Sequence, residues 1–280
     1  MNPKILLSAL VIGAGLSVSA AMAQPISTEQ IKAIVASPDR TPADLTNDKR
    51  RHPEDILAFL ALRPGLVALD VSAGGGYTTE LLARAIGPTG KVYGQSRPRP
   101  ATPPPAPTNA EGNSNPTVAA APPSGPPRPS PVALADREGR MKAANVPAAP
   151  IVAVVQPFED PAPAELADGK LDLVTLMFNY HDLGFLNVDR AAMNKAIFKA
   201  LKPGGFFVIA DHSGRPGTGI SESGTLHRVE EAFLRKEVEA AGFKLAAEGN
   251  FLRNPNDPRD KNTPDPPQPK DEFFLKFVKP

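Results

Sequence analysis

LDVSAGGGYTTELL, residues 69–82, passes from an apolar run through three consecutive glycines into a segment with helical spacing. The flanking GLVALDV, residues 65–71, is almost wholly apolar, as expected of a parallel strand buried on both faces. Strand, glycine turn and helix in that order form the unit of a doubly wound α/β sheet. In such sheets the turn lies at the carboxyl end of the strand, where ligands bind. No Gly-Lys-Ser/Thr closes the turn, which excludes a nucleotide-triphosphate loop, and Gly74, Gly76 and Thr79 give only an approximate dinucleotide fingerprint. A glycine turn also serves simply to pack a helix on a strand, so its ligand has to be argued from the rest of the chain.

Outward from this unit the alternation continues. The helix TTELLARAI stops at Gly87-Pro88 and KVYGQ (91–95) reads as the next strand. IVAVV (151–155), LDLVTLMFNY (171–180) and FFVIAD (206–211) read as further strands. Helices are expected over VALADREGRMKAAN (132–145), DRAAMNKAIFKAL (189–201) and a long TLHRVEEAFLRKEVEAAGF (225–243). KLAAEGNFL (244–252) and EFFLKFV (272–278) complete seven strands, the last two read as an antiparallel hairpin joined by an extended connection. The fold class is therefore α/β: a doubly wound, Rossmann-like seven-stranded sheet, mostly parallel. No internal repeat interrupts it.

Upstream, STEQIKAIVA (27–36), with Ser27 as cap and Gln30 three residues on, and HPEDILAFLAL (52–62) predict a helical cover over residues 24–63, ahead of a main domain over 64–280. Residues 97–131 are dominated by proline, alanine, serine and glycine. They offer no periodic apolar face and read as a disordered or polyproline II insertion within that domain.

Residues 1–23 combine Lys4, an apolar stretch from Ile5 and the ending Ala21-Met22-Ala23. This is the layout of a cleavable signal peptide, so a periplasmic or secreted protein without stable membrane insertion is expected, the alternative being an uncleaved anchor. The remainder is long enough to bury a substantial core. With no cysteine among the 280 residues there are neither disulfides nor thiolate metal sites. A formal net charge of +1 lacks the basic excess of a nucleic-acid partner and directs attention to a small-molecule substrate. Oligomeric state is not readable.

Three segments, VALDVSAGGGYTTELLA, LDLVTLMFNYHDL and ALKPGGFFVIADHS, at these separations, resemble motif I, motif IV and the post-motif strand of class I S-adenosylmethionine-dependent methyltransferases. From Pro53 onward, and with its leader and FLKFVKP ending, the chain is similar to a group of exported bacterial predicted methyltransferases. The resemblance implies S-adenosylmethionine as cofactor. Asp70 would compensate the methionine ammonium, Gly74 and Gly76 would admit backbone close to the ligand, and Tyr77 and Thr78 would line the helix start. Ser72 stands where the family pattern has its first glycine. Gln95 stands where the family places an acid on the ribose hydroxyls, giving neutral hydrogen bonds in place of charge-assisted ones. Glu159, with Asp160, falls where the adenine amino group is bound, and Phe158 packs on either adenine or core.

The remaining polar residues gather on one sheet edge. Asn179, Tyr180, His181 and Asp182 follow strand four, Asp211 and His212 end strand five, and His227 and Arg228 come later, so three of the four histidines share that edge. Two mechanisms fit. His181 or His212, with Asp182, acts as general base for an acceptor attacking the sulfonium methyl in line. Alternatively His181, Asp182, Asp211 and His212 bind a divalent metal, ranked lower because no tight ligand spacing such as His-x-x-x-His is present. His52 reads as a solvent-facing residue, and SGRPGTGISESG (213–224) as a loop suited to closing over a site. Because the cofactor is charged and made in the cytoplasm, export raises a supply problem. The alternative function is a noncatalytic exported ligand-binding or metal-binding protein on the same fold.

Overall fold

The computed structural model describes residues 24–98, 128–262 and 268–280. The leader, most of the proline-rich insertion and part of the final connection lie outside them. Three helices come first, α1 (Thr28–Val35), α2 (Pro42–Arg51) and α3 (Pro53–Leu60). Ser27 and Thr41 each form a reciprocal capping box, with Gln30 and Asp44. The second of these helices was not expected from the sequence, although Thr41-Pro42 followed by Asp44 is a start signal of the same kind.

The sheet follows: β1 (Val67–Val71), α4 (Tyr77–Ile86), β2 (Lys91–Ser96), α5 (Ser130–Ala143), β3 (Ile151–Val155), β4 (Leu171–Met177), α6 (Tyr180–Phe185), α7 (Arg190–Ala200), β5 (Leu201–His212), α8 (Glu231–Ala240), β6 (Lys244–Gly249) and β7 (Glu272–Val278). Its seven strands lie in the order β3-β2-β1-β4-β5-β7-β6. The first five run parallel, and β7 inserts antiparallel between β5 and β6. The order reverses between β1 and β4, so the carboxyl end of β1 faces the crevice where sheets of this kind bind ligands.

Each face of the sheet buries its own core. One is built on Leu69, Val174, Ile197, Phe207 and Phe277, the other on Ala68, Leu82, Val92, Leu173 and Val208. Alternate residues of a strand point to opposite faces, which is why near-continuous apolar strands serve both layers. Among the described residues no helix is long and apolar enough to cross a membrane.

Three differences from the sequence reading bear on the site. Strand four ends at Met177, and Tyr180–Phe185 turn into α6, so His181 and Asp182 stand on a helix rather than a strand end. β5 begins at Leu201, where pairing with Leu171 is followed by a register shift through the KPGG turn. The long helix expected over 225–243 is only Glu231–Ala240. Its first residues are drawn away by Arg228, which is fully buried and donates to Asp257, to the Ser213 carbonyl and to the Lys261 carbonyl. Burying that guanidinium requires all these acceptors, and helical geometry at 225–230 cannot supply them.

Candidate functional site

A cavity of about 390 Å³ opens at the carboxyl end of β1, within the size range of small-molecule sites. The glycine loop, the start of α4, the ends of α2 and β4, and Arg137 of α5 line it. Of the residues singled out for the cofactor, Asp70, Ser72, Gly74, Tyr77, Thr78 and Asn179 reach this cavity. Gly76, Gln95 and Glu159 do not line it.

Asp70 is buried and accepts from Thr79 Oγ1 at 2.6 Å and Thr175 Oγ1 at 2.8 Å. Burial dominates its protonation and raises its pKa to about 6, the two hydroxyls and Arg51 opposing. Arg51 lines the same cavity, its Cζ 4.0 Å from the centre of the Phe178 ring. Burial and Arg50 lower its pKa to about 10, which leaves it cationic at neutral pH. One cavity thus presents a carboxyl group and a guanidinium, the complement of an amino-acid zwitterion.

The glycine loop is held in shape from three sides. Ser72 adopts a left-handed φ of 59°, and its hydroxyl donates to Asn179 Oδ1 at 2.6 Å, so the residue in place of a glycine ties the loop to the start of α6. Gly76 has φ 78°, and a Cβ there would stand 2.7 Å from Leu134 Cδ2 and 2.8 Å from Arg137 Cδ. Arg137 Nε donates to the Gly75 carbonyl at 2.5 Å while its other nitrogens bind Asp44 and Glu80. Tyr77 donates to Asp48 Oδ1 at 2.6 Å, and Asp48 is clamped by Arg40. The helical cover is therefore bonded directly onto the glycine loop.

Gln95 stands at the carboxyl end of β2, where the sequence reading put it, and its side chain turns inward. It is fully buried, its Oε1 accepting from the Ser72 amide at 2.9 Å and its Nε2 donating to the Gln156 carbonyl at 2.6 Å. Both halves of the amide brace the turn, and the side chain is wholly enclosed. Glu159 accepts from the Asp189 amide at the start of α7 at 3.3 Å, and Phe158 belongs to the core.

The histidine edge adjoins this cavity through Asn179, whose Nδ2 donates to Asp182 Oδ2 at 2.7 Å. His181 is buried, with Nδ1 2.6 Å from Asp211 Oδ1 and Nε2 3.2 Å from Asp182 Oδ1. Burial opposes its charge, but Asp211 and Asp182 outweigh it and raise its pKa to about 9. The same contacts, with His227 Nδ1 at 3.3 Å, hold Asp182 far below the usual carboxylate range against its own burial. His212 is also buried and kept neutral, its pKa lowered by burial and then by Lys270 and His181. Its Nδ1 lies 2.9 Å from Glu272 Oε1, and its ring packs against Phe178 at 5.6 Å. Neither His181 nor His212 lines the cavity itself; both are enclosed, His181 between two carboxylates. The 213–224 loop lies against α6, where a Cβ on Gly184 would meet Ile220 Cγ1 at 2.7 Å.

Asn47, Arg51, Arg137, Met177 and Phe178 line the cavity without having been singled out in the sequence. Recognising the Thr41 capping box would have placed Asn47 and Arg51 on one helix; nothing local marks the other three.

The sequence matches no family model and no curated protein. Its fold is similar to that of a SAM-dependent methyltransferase from Aquifex aeolicus, 16% identical, with 91% of this chain and 100% of that one covered and a TM-score of 0.51. It is equally similar to the [4+2]-cyclase SpnF, at 14% identity, 92% and 99% coverage and a TM-score of 0.51. At such identities the likeness establishes a Rossmann-like methyltransferase fold. One neighbour is named a methyltransferase and the other a cyclase, so the reaction must be argued from the site.

Proposed function

We propose that the protein binds S-adenosylmethionine at the carboxyl end of β1 and transfers its methyl group to a small-molecule acceptor. The observation that supports this reading is the placement of Asp70 and Arg51 in one glycine-lined cavity. Asp70 would take the ammonium and Arg51 the carboxylate of the methionine end, while Gly74 and Gly75 offer backbone unshielded by side chains. The methionine end fits. The ribose end has Gln95, bonded to Ser72 and Gln156, where the resemblance places an acid.

When bound, S-adenosylmethionine supplies an electrophilic methyl group on a sulfonium. The chain's share of the work is then to position the acceptor in line and exclude water, since such transfer depends mainly on proximity and orientation. The acceptor approaches from the histidine edge, where Asn179 joins the cavity to Asp182. Proton handling falls to His181, Asp182 and His212. The signal-peptide layout of residues 1–23 supports export, so the proposed activity lies in the periplasm or outside the cell, where a cofactor supply is needed.

A second reading, a noncatalytic binding protein, is favoured by one feature: no imidazole is among the cavity-lining residues. Calorimetric titration with S-adenosylmethionine and S-adenosylhomocysteine separates the outcomes. Micromolar binding that disappears in Asp70→Ala supports the cofactor site, and methyl transfer to any acceptor then selects the enzyme over the binder. Folded protein that binds neither ligand overturns the proposal.

A further inference from the structure

His181, Asp182 and His227 come together although Asp182 and His227 are 45 positions apart. One donor atom from each lies within 4.8 Å of the other two. Asp182 Oδ1 is the centre, 3.2 Å from His181 Nε2 and 3.3 Å from His227 Nδ1. Tetrahedral donors at about 2.0–2.2 Å from one ion stand roughly 3.3–3.6 Å apart, so the two contacts to Asp182 already have that spacing and the widest gap has up to about 1.5 Å to close.

The surroundings match what a metal site requires beyond its ligands. The fully buried Asp211 takes His181 Nδ1 at 2.6 Å, fixing the ring so that Nε2 faces the cluster. Asp211 is itself fixed by the His181 and His212 amides, each at 2.8 Å. A carboxylate behind a histidine in this way orients it and raises its basicity as a ligand. Asn179 plays the matching part for Asp182, holding Oδ2 at 2.7 Å and leaving Oδ1 toward the histidines. His227 sits at φ 52°, an unfavourable backbone for a residue with a side chain. It is kept there by the buried Arg228 anchor and by the Val229 amide on the His212 carbonyl at 3.1 Å.

We infer that His181, Asp182 and His227 form a binding site for a divalent first-row transition metal, with Asp211 and Asn179 as its supporting shell. Two imidazoles and a carboxylate suit zinc, iron(II) or manganese, and three protein ligands leave a position open for an outside oxygen or nitrogen. Solvent reaches the cluster, the Asp182 and His227 side chains being 31% and 18% exposed. An incoming ion displaces the proton that His181 Nε2 shares with Asp182. The set differs from the one the sequence suggested, since Asp211 stands behind His181 and His212 faces Glu272. The inference does not rest on cofactor binding, because none of the three ligands lines the β1 cavity, and with a metal bound His181 and Asp182 act as ligands rather than in proton handling.

The test titrates Zn2+ or Co2+ alone into the untagged, metal-free full chain, following heat and the visible Co2+ bands. One equivalent should bind. His227→Asn keeps a residue tolerant of left-handed backbone while removing the ligand, and Asp182→Asn keeps shape; each should weaken binding at least about 100-fold. Asp211→Asn should weaken it roughly 10- to 100-fold, and His52→Ala should leave it unchanged. Failure of the wild-type chain to bind either ion stoichiometrically overturns the inference, as does wild-type affinity in a His227→Asn protein of normal melting behaviour.

Discussion

Ser72 Oγ donates to Asn179 Oδ1 at 2.6 Å across 107 positions of sequence. The bond joins the glycine loop to α6, and Asn179 passes the connection on to Asp182 through its amide nitrogen. The cavity at β1 and the histidine edge are thereby one continuous hydrogen-bonded structure, with Asn179 as the shared residue.

Two substitutions at Ser72 separate the value of that bond from the cost of the backbone. Ser72→Ala keeps the left-handed φ of 59° but loses the hydroxyl, and should destabilise by about 1–3 kcal/mol. Ser72→Gly loses the same bond but relieves the backbone, recovering about 1 kcal/mol. Urea unfolding should rank wild type above Ser72→Gly above Ser72→Ala, and equal stability of the two variants would disprove the strain.

Asp70 gives the site a pH dependence with a definite sign. Its folded pKa is about 6 against an ordinary value of 3.8, so between those values the folded chain holds a proton that the unfolded chain has lost. Stability from this group is therefore present below pH 3.8 and lost as pH rises through 6, by up to about 3 kcal/mol. Affinity for a cationic ammonium should move the opposite way, weakening as pH falls through 6. Asp70→Asn should flatten both profiles in paired melting and calorimetric series, and at pH 8 it should bind S-adenosylmethionine at least about tenfold more weakly without melting earlier.

Arg51 makes the carboxylate end of the ligand testable on its own. Arg51→Met should reduce affinity for S-adenosylmethionine and S-adenosylhomocysteine about tenfold or more, the scale of a lost charge-assisted contact. Adenosine and decarboxylated S-adenosylmethionine lack the carboxylate and should bind the variant and the wild type alike. A parallel loss for all four ligands would show that Arg51 only shapes the cavity.

Glu80 anchors the ion pairs beneath the glycine loop, with a side chain only 2% exposed. It accepts from Arg84 at 2.7 Å, Arg137 at 2.6 Å and Arg140 at 3.3 Å. Glu80→Ala leaves these cations short of a partner and should cost about 3–5 kcal/mol in denaturant unfolding. Because Arg137 also holds the Gly75 carbonyl, ligand affinity should fall with it. A loss under 1 kcal/mol would mean Asp39 and Asp44 suffice to compensate Arg84 and Arg137.

The sequence by itself determined the elements that depend on near neighbours. Apolar strands, helices with 3.6-residue spacing, and the glycine and proline stops fixed the α/β alternation, the ligand-facing turn and the place of Asp70, Ser72, Gly74, Tyr77 and Thr78 beside it. These are local properties: a few adjacent residues set the backbone, and the backbone sets which end of the strand the turn occupies. Tertiary structure alone decided where distant side chains spend their hydrogen bonds. It placed Gln95 on Ser72 and Gln156, brought Arg51 of α2 to the cavity of Asp70, and set β7 between β5 and β6. It also drew residues 225–230 out of a helical pattern by burying Arg228, and so brought His227 to Asp182. The physical reason is that a buried polar group must find partners wherever packing supplies them, and those partners lie tens to hundreds of residues away, beyond the reach of any local pattern.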